Sequence, residues 1–299
     1  MLTKSSTHQG LITGLLAYTI WGFFPLFFHL LRSVASFDVL MHRVIWSFLF
    51  VLLIMLILRR HQRLIDAIRT PGILSKLLLS ALLVSSNWLV FIWAVSEGRV
   101  VESSLGYFIT PLISVFLARV FLGERLNHWQ QFAIILAVTG LIWLVFKLGY
   151  LPWISLALAI SFGWYGLVRK QVPVDTLTGL TLETAMMLPV AITYWIVVTT
   201  MDKGGFFDQD QQLTFILMLS GVVTALPLLL FASATKKMSL SAIGFMMYIN
   251  PTLQFISALY ILGEPFNTNQ FIGFSFIWCA LIVFSIGSIK AARVATPAT

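Results

Sequence analysis

Apolar residues run along this chain in long stretches separated by short polar punctuation, and the stretches have the length of a bilayer crossing. Runs near 10–31, 37–58, 73–95, 101–121, 129–147, 152–168, 178–198, 213–234, 240–262 and 269–289 approach the ~20 residues a helix needs to span roughly 30 Å of hydrocarbon. The pattern predicts an all-α integral membrane protein with ten transmembrane helices. Barrel strands would be shorter and would alternate polar with apolar residues. The apolar run from Gly10 continues past Trp21 and Phe28 without a small-residue cleavage pattern, so it reads as a spanning helix and not as a leader.

The punctuation repeats. Pro111, Leu122-Gly123-Glu124, Asn127 and Gln130 recur 140 residues later as Pro251, Leu262-Gly263-Glu264, Asn267 and Gln270. A weaker echo relates Trp21-Gly22 to Phe162-Gly163, and Gly149-Tyr150-Leu151-Pro152 forms the junction. The chain therefore divides into a first repeat, 1–148, and a second, 149–299. With five helices in each, the second enters the bilayer from the opposite side, which gives two inverted five-helix repeats.

Composition agrees: 59% of residues are hydrophobic and 10% charged, too little polarity to cover a soluble body of 299 residues. The formal charge of +8 has a topological cause. Cytoplasmic termini place 14 of the 19 Lys and Arg on the inner side, including Arg59, Arg60, Arg63, Arg69 and Lys76, whereas Asp202, Asp208 and Asp210 fall in an outer loop. This positive-inside pattern calls for no nucleic-acid partner. The single cysteine, Cys279, excludes an intramolecular disulfide or a cysteine-rich metal site. No phosphate-binding glycine loop or His-Glu-x-x-His motif is present, so the chain reads as a secondary transporter without a cofactor and not as an enzyme.

Polar groups inside spans are costly and mark candidate function. In the second run, Asp38, His42 and Trp46 share a helix face and Arg43 lies about 100° around it. His42 falls roughly 9 Å below the outer boundary, as part of a cavity or as a fastening of the helix end. Glu183 corresponds to His42 at a shift of 141. Inversion leaves roughly 13 Å of depth between the two, so Glu183 serves the far end of a cavity, a proton step, or an ion pair with Arg169 or Lys170. Glu102 reads as a helix cap or as a partner of Arg99 or Arg43. Asn87 and Trp88 lie near mid-depth; Tyr107, Thr110 and Pro111 stand at one proline break and Tyr248, Asn250, Pro251 and Gln254 at its repeat. Each proline frees a backbone carbonyl that a solute can use. Pro25, Pro189 and Pro227 predict further bends, and Trp21, Trp46, Trp88 and Trp164 line a route or pack the bundle.

The segments Leu40-Met41-His42-Arg43-Val44-Ile45-Trp46-Ser47, Asn87-Trp88-Leu89-Val90-Phe91-Ile92-Trp93-Ala94, Leu105-Gly106-Tyr107-Phe108-Ile109-Thr110-Pro111-Leu112 and Tyr165-Gly166-Leu167-Val168-Arg169-Lys170 resemble those of RarD proteins, bacterial EamA-type members of the drug/metabolite transporter superfamily. The likeness runs over almost the whole chain. It implies ten helices in two EamA units, a place in the bacterial cytoplasmic membrane, and export of amino acids or other metabolites. Thr110 departs from the asparagine often found in this family before the first proline, while Asn250 holds the matching place in the second repeat.

Together these readings predict a permease for a small-molecule solute such as an amino acid or an analogue, moved outward by alternating access, with protons a candidate coupling ion and the choice between monomer and dimer open. A multidrug efflux transporter, a membrane enzyme and a non-transporting receptor are the alternatives.

Overall fold

In the computed structural model, which describes residues 4–121, 123, 127–201, 210–235 and 246–295, the apolar runs are helices and the polar punctuation marks their ends. The order is α1 (Lys4–Gly22), α2 (Phe24–His29), α3 (Ser36–Ile57), α4 (His61–Arg69), α5 (Ile73–Ser96), α6 (Val100–Phe121), α7 (His128–Leu148), α8 (Trp153–Lys170), α9 (Thr176–Thr200) and α10 (Gln211–Thr235). There follow α11 (Ile249–Ile256), a π-helical turn (Ser257–Ile261) and α12 (Thr268–Ala295). Among the described residues, eight helices are long and apolar enough to cross a membrane. They coincide with the predicted runs other than the sixth and ninth. The sixth is the 18-residue α8, which closes on Arg169 and Lys170. The ninth begins outside the described residues and continues as α11 and the π turn. Leu122, Glu124, Arg125, Asp202, Lys203, Asp208, Lys236 and Lys237 also lie outside them.

Two local features stand apart from the predicted runs. The basic cluster after α3 includes the short helix α4, whose Leu64 and Ala67 fall on one side and pack against Ile73, Leu77, Val172 and Leu182. Arg63 of α4 also pairs with Asp175 at 3.5 Å. Pro251 does not bend a continuous helix. The chain turns at Met247-Tyr248, and Pro251 lies in the first turn of α11, where a missing N–H leaves no intrahelical bond unmade. By contrast Pro111, Pro189 and Pro227 sit inside α6, α9 and α10, and Pro25 opens α2 after a break at Phe23.

The repeated polar residues are helix starts. Asn127 accepts from the Gln130 backbone N–H at 2.9 Å while the Gln130 side chain accepts from Asn127 N at 3.1 Å. Asn267 and Gln270 do the same, both at 2.9 Å. These capping boxes satisfy N–H groups that a helix leaves unpaired. The glycines of the two Leu-Gly-Glu motifs adopt φ of +67° and +69°, a left-handed turn that suits residues without a Cβ.

Helices from before and after Gly149 interleave. α7 packs on α12, α6 on α8 and α11, α1 on α10 and α11, α3 on α9 and α10, and α5 on α8 and α9. Relative directions follow from the contacts. Gly106 faces Ser155 and Gly163 faces Ile113, so α6 and α8 run the same way; Gly14 faces Met246 and Gly22 faces Leu253, so α1 and α11 do too. Asn87 meets Leu158 and Trp93 meets Trp153, so α5 and α8 run oppositely. One apolar core gathers residues from both parts, such as Phe28, Leu105, Leu158, Leu217 and Phe274. The outer surface stays apolar, with Phe146 82% and Phe215 64% exposed, as lipid requires.

The closest approach brings the α10 backbone onto α3: a Cβ on Gly221 would lie 2.6 Å from Ser47 N. Gly221→Val therefore drives a branched side chain into backbone. Overpacking of this kind costs about 1–3 kcal/mol, read as a lower thermal midpoint of the protein in detergent. An unchanged midpoint would show that α3 and α10 do not pack this tightly.

Candidate functional site

Buried hydroxyls in this bundle mostly turn back on their own helices. Thr110 donates to Gly106 O at 3.0 Å, Thr184 to Leu180 O at 2.7 Å and Thr224 to Ser220 O at 2.7 Å. In hydrocarbon such bonds satisfy the O–H without a second helix. Thr110 is thus occupied within α6, whereas Arg43, Asn87, Tyr107 and Glu183 reach across helices.

Arg43 is the centre of the first cluster. It is 2% exposed, and its Nε donates to Thr224 Oγ1 at 2.7 Å. That bond forms because Gly221, one turn earlier on α10, lets the two helices touch. The guanidinium carbon lies 4.0 Å from the Trp88 ring centroid, 5.1 Å from that of Phe28 and 5.7 Å from that of Phe24. Such cation–π contacts gain strength in a desolvated site. Its Nη1 is buried and has no hydrogen-bond partner. Next to it on α3, His42 is 4% exposed and accepts from Trp46 Nε1 at 3.3 Å through Nδ1, joining the residues that one-turn spacing predicts on one face. Asp38, a turn earlier, accepts from the Tyr194 hydroxyl at 2.6 Å.

Asn87 binds three groups. Its Nδ2 donates to Leu158 O and Ser161 Oγ, each at 3.0 Å, and its Oδ1 accepts from the Tyr107 hydroxyl at 3.2 Å. The Tyr107 ring meets Phe91 and Phe162 edge-on. Pro111, four residues on and buried, removes the N–H that would bond the Tyr107 carbonyl. Asn87 and Tyr107, which the sequence marked separately, are brought together here, whereas Thr224, Phe28 and Ser161 carried no signal of their own.

Glu183 forms a second node. Its carboxylate accepts from Ser80 at 2.5 Å and from Tyr165 at 3.5 Å, and pairs with Arg169 Nε at 3.5 Å. The ion pair with Arg169, one of the openings the sequence leaves for Glu183, is present. A narrow crevice lined by Val44, Val84, Ser85, Trp88, Glu183, Thr184 and Met187 connects this node to the tryptophan that bears Arg43.

Tyr248, Asn250 and Pro251 belong to a third cluster with other partners. Asn250 Oδ1 accepts from Gln254 Nε2 at 2.7 Å, Gln254 reaches Trp21 O at 3.5 Å, and the Tyr248 hydroxyl bonds to Ser285. Gln254 Oε1 is buried without a partner.

Glu102 stands in the first turn of α6, where the helix dipole favours it, and pairs with Arg99 at 2.7 Å. The hydrogen-bonded cap comes from distant sequence: the Glu264 carboxylate accepts from Val100 N at 2.6 Å and Val101 N at 2.8 Å. The sequence marks Glu264 only as part of a turn. Burial pushes its carboxyl above the usual range, the two N–H bonds draw it partly back, and the charge of Glu102 raises it further.

A lipid-facing bundle of interleaved helices around a buried polar centre is the architecture of a multi-pass membrane carrier. The chain belongs to the EamA-like transporter family, whose model matches residues 8–146 and again 151–286. It is 42% identical to Protein RarD of Escherichia coli strain K12, over 98% of this chain and 99% of that protein. It is 41% identical to an uncharacterized transporter of Vibrio cholerae, over 98% and 97% of the two chains, and 40% identical to the uncharacterized transporter YojE of Bacillus subtilis, over 98% of each. A crystal structure superposes on 95% of this chain and 98% of its own with a TM-score of 0.59 at 17% identity, a likeness of fold alone. The chain is thus a RarD-like secondary transporter of the drug/metabolite transporter superfamily, a multi-pass bacterial membrane protein that moves a small-molecule solute across the bilayer and is not an enzyme.

Two measurements test this geometry. Glu183→Gln strands Arg169 in a buried setting and should cost about 3 kcal/mol; Arg169→Met added to it should recover part of that loss, and additive losses would mean that the pair is not coupled. For Glu264 the raised pKa fixes a sign. Its contribution to stability is present below the ordinary carboxylate range and declines as pH rises through the raised value. Mild acidification should therefore raise the thermal midpoint of the wild type more than that of Glu264→Gln. Parallel pH curves would remove the capping carboxylate from the account.

Proposed function

We propose that the protein exports a small metabolite, such as an amino acid or an analogue, by alternating access between two inverted five-helix repeats, 1–148 and 149–299, in the bacterial cytoplasmic membrane. On this reading there are ten spans, with α8 and the segment around α11 as the sixth and ninth, and both termini are cytoplasmic. Two kinds of observation support it. The family model matches twice along the chain. The packings also exchange into one another when the repeats are swapped: α6 on α8 answers to α11 on α1, α5 on α8 to α10 on α1, and α3 on α10 to α9 on α5. Helix directions in the first of these exchanges also match, as inversion requires.

The observation that carries the transport site is the group of Arg43, Trp88, Asn87 and Tyr107 in the first repeat, joined to the second through Thr224, Leu158 and Ser161, with the Tyr107 carbonyl released by Pro111. Tyr248, Asn250 and Pro251 supply the matching surface from the second repeat. His42, Arg43 and Trp46 stand on the outer approach and Glu183 on the inner one, with Thr110 and Pro111 between them. α1 packs on α10 and α11 while α6 packs on α8, so the bodies that rock are mixed groups of helices from both repeats. His42 is the proposed proton-sensitive group, and Glu183 a second.

Purified protein in liposomes, supplied with a labelled metabolite library with and without a pH gradient, tests the reading: saturable flux of at least one solute is expected. Binding without flux would make the protein a receptor, and conversion of a solute would make it an enzyme. Asn250→Ala and Tyr248→Phe should each lower flux about fivefold to tenfold at matched abundance, the worth of a lost hydrogen bond. His42→Gln should flatten the pH dependence of flux, and an unchanged profile would leave His42 structural.

A further inference from the structure

Among the described residues, Arg43 is a buried cation that no ion pair neutralises. Ion pairs join Arg63 to Asp175, Arg99 to Glu102 and Arg169 to Glu183. None of them includes Arg43, although Arg43 is more deeply buried than any of those arginines. A guanidinium in an apolar interior is costly unless it is paired. The partners it has are a hydroxyl and aromatic faces, which orient it without neutralising it. Thr224 is itself fixed, since its O–H is spent on Ser220 O. The Nε bond to Thr224 and the stacking on Trp88 therefore hold the plane of the guanidinium, while its Nη1 donors stay unused.

We propose, resting on the transport reading above, that Arg43 is the anion subsite of the carrier and that its cargo bears a single carboxylate on an apolar body. One positive charge matches one negative charge, and a guanidinium edge matches the two oxygens of a carboxylate. The surroundings select the remainder of the solute: Trp88, Phe28 and Phe24 offer apolar faces, and no Asp or Glu among the described residues pairs with Arg43 to compete for it. An uncharged solute would leave the arginine unneutralised on every cycle, and a cationic one would add a second buried positive charge. For an amino acid, the carboxylate docks here and the ammonium finds its acceptors at Asn87 Oδ1 and the Tyr107 carbonyl.

The test uses the full-length protein in detergent and a set of probes on one scaffold: 3-phenylpropionate, its amide, phenylalanine and phenethylamine, with inorganic phosphate as a second anion, all at constant ionic strength. The expected result is saturable thermal stabilisation by 3-phenylpropionate, with the amide and phenethylamine binding at least about tenfold more weakly, the difference one charged hydrogen-bonded contact makes. Arg43→Lys should weaken the carboxylate effect and Arg43→Met abolish it. The ligand-free Arg43→Met protein should melt no lower than the wild type, because the substitution removes a buried charge that has no counter-charge and keeps an apolar side chain against Trp88, Phe28 and Phe24.

Equal stabilisation by acid and amide, stabilisation by phosphate alone, or a carboxylate effect that survives in Arg43→Met would each overturn the assignment. A lower ligand-free midpoint for Arg43→Met would make the arginine a structural element and overturn it as well. If liposome flux is found only for neutral or cationic solutes, the transport reading stands and the anion subsite falls. If no solute moves while carboxylates still bind through Arg43, the transport reading fails and the subsite survives.

Discussion

Hydrocarbon gives a polar group nothing to bond to, and the structure is arranged around that constraint. Threonine and serine hydroxyls fold back on carbonyls one turn away, helix starts at the borders close on themselves through Asn-x-x-Gln boxes, and Glu183 is enclosed by Ser80, Tyr165 and Arg169. Against this background a polar atom left unmatched carries information. Arg43 Nη1 and Gln254 Oε1 are such atoms, one a donor and one an acceptor, and they belong to the clusters around the first and second prolines respectively.

The same constraint explains why the chain interleaves. A helix that is apolar all round can face lipid or a neighbour with equal ease, so the sites of helix contact are chosen by small residues and polar bonds. Gly106 against Ser155, Gly221 against the backbone at Trp46 and Asn127 bonded to Gly287 O are contacts of this kind, and each joins residues on opposite sides of Gly149. Trp143 adds another through Asn269 O. The core at the centre is completed only when both parts of the chain contribute to it.

Much of this was legible in the sequence because hydrocarbon imposes a length and a composition on every crossing. Eight of the predicted runs have the extent and apolarity of a span, and one-turn spacing placed His42 with Trp46 correctly. The repeated Asn and Gln were visible as a repeat, although their role as capping boxes depends on backbone geometry that letters do not carry. Helix α4 is amphipathic, but its nine residues are too few for a crossing and fell between two of the apolar runs. Partners distant in sequence were the least legible: nothing near Arg43 names Thr224, and nothing near Val100 names Glu264, because each pairing arises from how the bundle closes. The second proline misled for a related reason, since the same residue type bends a helix from within and begins one at its first turn.

The carboxylate of Glu264 has a bearing on how the molecule is made. It sits on the amino end of α6, yet it is translated more than 160 residues after the N–H groups it binds. Until then those donors lack this acceptor, so the opening turn of α6 reaches its final state only once the segment that carries Glu264 has joined the bundle. Membrane insertion and tertiary locking are thereby separated in time, and the last step of biogenesis reaches back to fasten one of the early ones.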